Sequence, residues 1–359
     1  DATPDVDIIH FWLADGSNNQ CECPLCRDHR PADLYVKMLN ELDDKLTAAG
    51  SPVRIVFLAY VDLLWPPLKE RLQNQDRFIL MFAPITRSYL TSFTEAGMSA
   101  AKLPPYKRNQ LKFPADPAIN LAFLKGWQDQ FHGEGFDFDY HFMWDHYKDP
   151  GQTALAQVLH RDVQGLRDIG LDGFMSCQVQ RLFFPTGLGM TVLGRTLWNR
   201  KLSFGEIARD HMAACFGADG ELVLKYLKQL SKLFAPRVLR GEAKPEEALK
   251  DWQAIPAAVD RMAPTIARNL DAPDACQAHS WRLLADFGEL CVLQSEALVA
   301  KHTGSPEWLE AARAVIAWAR TNEKRLQHVF DVFEFVLTFG GILGLCREEL
   351  LALGKPPDA

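Results

Sequence analysis

The sequence predicts an α/β fold, the carboxyl-terminal part of a TIM-type (β/α)8 barrel with five parallel strands visible, followed by an all-α helical domain. Five short apolar runs alternate with stretches of helical periodicity, which is the pattern of parallel strands joined by crossover helices. Most of these runs are almost continuously apolar, as in strands covered on both faces. After Trp198 only helical periodicity remains.

The predicted elements follow from this alternation. The strands are expected at residues 6–13, 53–60, 77–85, 136–144 and 173–179. Helices are expected between them at 33–46, 117–127 and 153–166, the second capped by Asp116 and opened by Pro117. Later helices are expected at 204–215, 221–234, 245–251, 255–270, 278–301, 306–323 and 329–353. The predicted domains are a barrel portion, 1–200, and a helical domain, 201–359.

Five strands fit an open doubly wound sheet, whereas a closed barrel needs about eight. The ends of the predicted strands favour the barrel, because polar and aromatic side chains follow nearly every one of them. Such residues converging from many strands are typical of a barrel mouth. The remaining strand–helix units are then expected upstream of Asp1, in an amino-terminal domain.

Composition and charge narrow the choice of partners. The formal net charge is −7 and no segment is dense in Lys and Arg, which argues against nucleic acid. No apolar run approaches the roughly 18 residues that span a bilayer, so we expect no membrane partner. Five of the eight cysteines lie singly in apolar segments, which favours a reducing compartment and a cytoplasmic location.

Several motifs carry a family resemblance. They read WLADGSNNQCECPLC at 12–26, FLAYVDLLWPP at 57–67, FAPITR at 82–87, FDFDYHFMWDH at 136–146 and SCQVQR at 176–181. Together, over about residues 1–235, they resemble the bacterial proteins grouped as domain of unknown function 4838. Some relatives form glycoside hydrolase family 163, which acts on β-linked N-acetylglucosamine, and the architecture is similar to that of α-glucuronidases. The resemblance implies a glycoside hydrolase-like enzyme whose partner is an oligosaccharide or glycan.

The chain departs from the family around the cysteines. Relatives carry a Gln-Asn-Asp triplet before them and an acidic cluster after them, whereas here the equivalents are Leu13-Ala14-Asp15 and RDHRP at 27–31. The departure indicates a divergent branch. Two alternatives therefore stay open: a non-catalytic carbohydrate-binding protein, and a scaffold that completes its barrel with another chain.

Three carboxylates are the candidate catalytic residues, since glycosidases need a proton donor and a group that stabilises the opposite face. Asp15 ends the first strand, although an Asp-Gly turn would explain it equally well. Asp139 and Asp145 share one face of the fourth strand under period-two alternation. A salt-bridged barrel floor with Arg87 or Arg181 is the structural alternative. We expect Asp15 and Asp145 to face one cavity.

The candidate substrate-binding residues are aromatic or polar and lie near strand ends. Aromatic rings can pack on sugar rings, and amides can bind hydroxyl or acetamido groups; each aromatic ring can equally belong to the core. The set is Asn18, Asn19, Tyr60, Asp62, Trp65, Arg87, His141, Trp144, His146, Gln178, Gln180 and Arg181.

The densest local motif is a Cys-x-Cys-x-x-Cys run. Cys21, Cys23 and Cys26, with His29 three residues later, offer soft ligands at a spacing typical of metal sites. Four such ligands would fill a zinc tetrahedron, so the predicted zinc is structural, with His10 as an alternative fourth ligand. A disulfide within the loop and simple free thiols are the other interpretations.

Overall fold

The structure is a computed structural model that describes residues 6–96, 101–346 and 348–350. The last part of the helix expected at 329–353 lies outside the described residues.

Five parallel strands form one sheet whose spatial order equals their order in the sequence. This confirms the predicted number and direction of the strands, and the order is the sequential one that a barrel requires. They are β1 (Ile8–His10), β2 (Arg54–Tyr60), β3 (Phe78–Ala83), β4 (Gly135–Asp139) and β5 (Gly173–Ser176). The sheet is curled like half of a barrel.

Two of the helices that connect the strands pack on the same face of the sheet. Alternate residues of β2 and β3 share a buried cluster with α1 (Pro31–Ala48) and α3 (Pro117–Gln128). Phe57 is among them, with its ring 5.4 Å from that of Trp127 and 5.0 Å from that of Phe131. In a doubly wound sheet the crossover helices would be divided between the two faces. The sequential strand order, with α1 and α3 on the same face, therefore argues against that alternative for the described sheet.

The fourth strand is shorter than predicted. Its ladder with β5 ends at the pair Asp139 and Ser176, and the chain then turns, with the Met143 N–H bonded to the Tyr140 carbonyl at 3.1 Å. The expected strand at 136–144 was therefore wrong in its second half. Period-two alternation applies to Asp137 and Asp139 but does not extend to Asp145, which lies in a 3-10 segment, Trp144–Lys148.

Helices are the regular elements of the rest of the described chain. Those between the strands, besides α1 and α3, are α2 (Phe93–Ala96) and α4 (Thr153–Gly165). After β5 come α5 (Leu188–Trp198), α6 (Phe204–Phe216), α7 (Gly220–Phe234), α8 (Pro236–Leu239), α9 (Leu249–Gln253), α10 (Ile255–Asn269), α11 (Ala275–His302), α12 (Trp308–Leu326) and α13 (Val332–Ile342). Asp116 caps α3 as expected, its carboxylate accepting the Ala118 N–H at 2.8 Å. Among the described residues, no helix is both long enough and apolar enough to cross a bilayer.

The chain divides into two compact units. Unit 1 comprises Asp1–Asp139 with Gly165–Cys177 and contains the sheet. Unit 2 comprises Tyr140–Gln164 with Gln178–Ala359 and contains α5 to α13. Residues 140–164, expected in the barrel portion, thus group with the later helices. That the region 201–359 is a separate helical domain stays a prediction.

Candidate functional site

The three clustered cysteines lie together on the loop that follows β1. The sulfurs of Cys21, Cys23 and Cys26 lie within 4.8 Å of one another, and all three cysteines are free thiols. The backbone turn that gathers them is closed by the Cys26 and Arg27 N–H groups, which both donate to the Cys23 carbonyl at 3.0 Å. This cluster could hold a metal ion.

Hydrogen bonds among the thiols separate their acidities. Bonds from the Cys21 side chain, and then from the Cys26 backbone and side chain, lower the pKa of Cys23 to about 7. The same contacts, first with Cys23 and then with Cys21, raise the pKa of Cys26 to about 11. One thiolate near neutral pH, solvated by two thiols, is a good starting point for metal capture because thiolate is the ligand form.

The two histidines proposed as fourth ligands stay outside the sulfur group. The Nδ1 atom of His29 is buried without a hydrogen-bond partner among the described residues. His10 is exposed, and its Nδ1 accepts a bond from Trp12 at 3.2 Å. Cys21 and Cys23 are themselves exposed, and Cys26 is half-buried.

Arg108 stabilises the cysteine loop through hydrogen bonds to its backbone. Its guanidinium donates to the carbonyls of Cys21 and Cys26, at 2.9 and 2.8 Å, and to that of His29. Asn109 adds a reciprocal pair with Gln20, at 2.7 and 2.8 Å. Sequence reasoning missed Arg108, since only the fold brings it to a loop about 80 residues earlier.

Two residues predicted to bind the sugar, Asp62 and Asn18, instead form hydrogen bonds that stabilise the same loop. The buried carboxylate of Asp62 accepts the Asn18 N–H at 3.1 Å and the Gln20 amide at 3.0 Å. Asn18 has a left-handed backbone, with φ 55°, and its side chain bonds Leu111 in both directions, at 2.6 and 3.2 Å. Both residues therefore shape the loop. Asn19, beside them, is exposed.

Asp15 meets Tyr60 at the carboxyl end of β2. The tyrosine hydroxyl donates to the exposed carboxylate at 2.9 Å. Burial first, and then Asp15, raise the pKa of Tyr60 to about 12, so the hydroxyl keeps its proton. Trp12 is 46% exposed and lies at the same end, edge-on to Phe138 at 5.7 Å. An acid and two aromatic rings are thus accessible here.

Trp65 and Arg87 are core residues in unit 1. The Trp65 indole N–H donates to the Pro104 carbonyl at 2.8 Å, and its ring is buried. Arg87 is fully buried, with its guanidinium carbon 3.7 Å from the centre of the Phe93 ring. The core interpretation therefore accounts for both positions.

Asp139 lies on the helix-covered side of the sheet. It pairs with Ser176 and follows Asp137, whose partner on β3 is Phe82, a residue of the sheet–helix core. Both carboxylates are buried, whereas Phe136 and Phe138, which alternate with them along β4, are half-buried. The catalytic role of Asp139 stays a prediction, and its position on this face does not favour it.

The histidines after β4 are buried in unit 2. His141 lies with its Nε2 3.6 Å from Asp162, and both side chains are fully buried. Burial lowers the pKa of His146 to about 4, so this imidazole is neutral at physiological pH. Its Nε2 lies 3.2 Å from the Gln152 amide. Both histidines fit a packed polar interior.

Asp145 is an ion-paired carboxylate. It contacts the guanidinium of Arg240 and lies 3.5 Å from the Lys148 amine. The sequence suggested Arg87 or Arg181 as its salt-bridge partner, whereas the partners observed are Arg240 and Lys148. Trp144 beside it is half-buried, its ring parallel to that of Tyr140 at 6.4 Å. Asp15 belongs to unit 1 and Asp145 to unit 2, and their shared cavity stays a prediction.

Three predicted residues line one cavity of about 400 Å³ in unit 2, which we call the acidic cavity. Its lining is Met143, Gln178, Val179, Gln180, Arg181, Asp331, Phe333 and Glu334. Gln178 and Gln180 are exposed, and Phe333 is 59% exposed. Sequence reasoning placed Asp331, Phe333 and Glu334 only in a helix, because they come together with Gln180 across 151 residues.

The two carboxyl groups of the acidic cavity differ in their surroundings. Asp331 accepts the Glu334 N–H and the Gln180 N–H, both at 3.2 Å, and caps α13. The Arg181 guanidinium lies 3.9 Å from it. Burial, and then the Asp331 charge, raise the pKa of Glu334. The pair thus combines an anchored carboxylate with an acid that keeps its proton to higher pH.

No family model matches this chain, and no curated protein or solved structure matches it either.

Proposed function

We propose that the protein is a glycoside hydrolase-like enzyme that binds a saccharide in the acidic cavity and hydrolyses its glycosidic bond. The observation that carries the proposal is the chemistry of that lining. One cavity of about 400 Å³ joins two amides, a guanidinium, an exposed aromatic ring and two carboxyl groups. A small number of polar groups that converge in a preformed cavity of this size is typical of a small-molecule site.

Glu334 is the proposed proton donor. A glycosidase acid must hold its proton near neutral pH and deliver it to the leaving oxygen. Burial and the neighbouring Asp331 both act in that direction on its pKa. Asp331, whose oxygens accept two backbone N–H groups, is the fixed charge of the pair.

The proposed substrate class is β-linked N-acetylglucosamine. Support comes from the motif resemblance to the family of domain 4838 and from the amides of Gln178 and Gln180, which suit an acetamido group. In substrate-assisted hydrolysis that acetamido group supplies the nucleophile. The protein then has to supply a proton donor and a platform for the sugar, here Glu334 and Phe333.

Replacement of Glu334 tests the catalytic step. We expect Glu334→Gln to lower turnover of an aryl β-N-acetylglucosaminide about 10²-fold or more, because the proton donor is lost. In the wild type the rate should fall as pH rises through the raised pKa of Glu334, and the variant should lack this limb. Glu296→Gln, on the exposed side of α11, is the matched control and should leave turnover unchanged.

Binding and hydrolysis can be separated by calorimetry with chitobiose. One outcome is that the wild type binds chitobiose without hydrolysing it, with binding that Phe333→Ala weakens. That result would contradict the proposed enzymatic activity and favour the carbohydrate-binding alternative. If glycans that contain N-acetylglucosamine are neither bound nor hydrolysed, the saccharide proposal is wrong.

We also propose that the cysteine cluster holds a zinc ion through three protein ligands, whereas the sequence predicted a structural site with four. When bound, zinc would crosslink the loop through three thiolates, as thiolate-rich sites do. About one zinc per chain is expected by mass spectrometry of protein purified without chelator. Arg108→Lys should weaken zinc binding about 10- to 100-fold, because outer groups orient metal ligands. Arg27→Lys, exposed on the same loop, should not. Protein with no bound zinc that also fails to take up added zinc would contradict this site.

A further inference from the structure

Unit 2 contains a second and larger cavity, of about 600 Å³, which the proposed function does not use. We call it the basic cavity. Its polar and aromatic lining residues include Trp144, Lys148, Arg240, Lys244, Trp252 and His302. Every charged group at neutral pH among the described lining residues is a cation, and no Asp or Glu lines it.

Two cations of this wall, Arg240 and Lys148, are ion-paired with carboxylates that do not line the cavity. The Arg240 side chain is 10% exposed, and its Nε donates to Glu242 at 2.7 Å. Asp145 contacts Arg240 and lies 3.5 Å from the Lys148 amine, yet Asp145 itself does not line the cavity. The carboxylate therefore fixes two cations at the wall. Glu247 also lies beside this wall, where its carboxylate accepts the Lys244 backbone N–H at 3.1 Å, but like Asp145 and Glu242 it does not line the cavity.

The remaining wall contains two tryptophans, of which only Trp144 is accessible. Trp144 is half-buried, and Tyr140 backs its ring at 6.4 Å with only 7° between the planes. Trp252 is fully buried, with its indole N–H bonded to the Phe234 carbonyl at 3.1 Å, and its ring lies 5.4 Å from that of His302. These rings are fixed before any ligand arrives, which lowers the entropic cost of binding.

We propose that the basic cavity binds an anionic sugar, a hexose that carries a carboxylate or a phosphate. The anion meets Lys148, Lys244 and Arg240, since charge-assisted hydrogen bonds are the strong ones. The sugar ring packs on Trp144. The sugar part of this assignment rests on the proposed function, whereas the anion part rests on the lining charges alone.

Two matched pairs of probes test the site by calorimetry. Galacturonate is compared with galactose, and glucose 6-phosphate with glucose, so that each pair differs in the anionic group. We expect at least one anionic sugar to bind at least tenfold more tightly than its neutral partner. Inorganic phosphate should bind more weakly than glucose 6-phosphate, because it lacks the ring.

Variants locate the site. The double variant Lys148→Gln/Lys244→Gln should weaken the anionic sugar at least tenfold. Lys244→Gln alone should weaken it less, and this exposed position should not disturb folding. Lys228→Gln, an equal charge change on the exposed side of α7, should leave affinity unchanged, as should Glu334→Gln in the acidic cavity.

The proposal would be overturned by equal binding of the charged and neutral sugars, by full affinity in the double lysine variant, or by no binding of either anionic sugar to the wild type. Loss of binding in Glu334→Gln would overturn it too, by placing the probe in the acidic cavity.

Discussion

At the scale of single residues, Asp33 shows how one carboxylate organises two segments. It is buried on the first turn of α1, and its Oδ1 accepts the N–H groups of Leu68, Lys69 and Glu70 at 2.8, 2.7 and 3.2 Å. Its Oδ2 accepts the Arg30 N–H at 2.8 Å. Burial works to raise the pKa of Asp33, but these four donors outweigh it and the pKa is lowered.

Asp33→Asn should lower the free energy of unfolding by about 1–3 kcal/mol at neutral pH, because bonds to a charged acceptor are lost. The lowered pKa fixes the pH dependence. The contribution of Asp33 is fully present above its ordinary value of 3.8 and disappears as pH falls through the lower folded-state pKa. Urea unfolding should therefore show the two proteins converging at low pH. Asp44→Asn, exposed on the same helix, should show no such gap at any pH.

At the scale of elements, α6 begins with a capping box. Ser203 accepts the Glu206 N–H on its hydroxyl at 3.2 Å, and the Glu206 carboxylate accepts the Ser203 N–H at 2.8 Å. These bonds satisfy two N–H groups that a helix start leaves without intrahelical partners. The carboxylate bonds also lower the pKa of Glu206.

Two replacements of Ser203 should separate capping from other effects. Ser203→Ala should lower the free energy of unfolding by about 1 kcal/mol, whereas Ser203→Gly should cost only a few tenths. Glycine is the better cap because it exposes the N–H groups to water. Denaturant titration of both variants measures the difference. A glycine variant less stable than the alanine variant would contradict a capping role.

At the scale of the whole molecule, the curled sheet of unit 1 has one face buried under helices. Phe57 lies at the centre of that layer, with its ring 6.2 Å from that of Phe78 and 5.0 Å from that of Phe131. The opposite face is open only at its edges, where Ile8 on β1 and Met175 on β5 are 45% and 38% exposed. In the middle of that face, Leu58 on β2 and Met81 on β3 are buried.

Phe57→Ala should cost about 3–5 kcal/mol, because a fully buried ring is removed from a layer that cannot collapse around the cavity. Leu68→Ala, a residue 62% exposed, should change stability by less than about 0.5 kcal/mol. Thermal and urea unfolding followed by circular dichroism measure both. A cost below 1 kcal/mol for Phe57→Ala would contradict the proposed core.

Whether a site could be predicted from the sequence depended on how far apart its interacting residues lie along the chain. The grouping of Cys21, Cys23 and Cys26 was predicted correctly, because three sulfurs within six residues are gathered by one local turn, but the predicted histidine is not part of the group. Asp62 and Asn18 were predicted to bind substrate, but they bond to each other across 44 residues and stabilise the cysteine loop. Glu334 and Arg240 carried no local signal, since each acquires its role from segments distant in sequence.

The sequence by itself determined the five parallel strands, their order and the cap of α3. Periodicity and capping depend on neighbouring residues, and crossover helices make the strands parallel. Only the tertiary structure decided where β4 ends, which face receives Asp139, and which acids and cations meet in the two cavities. A side chain's partner across 151 residues is set by packing, and no local pattern encodes it.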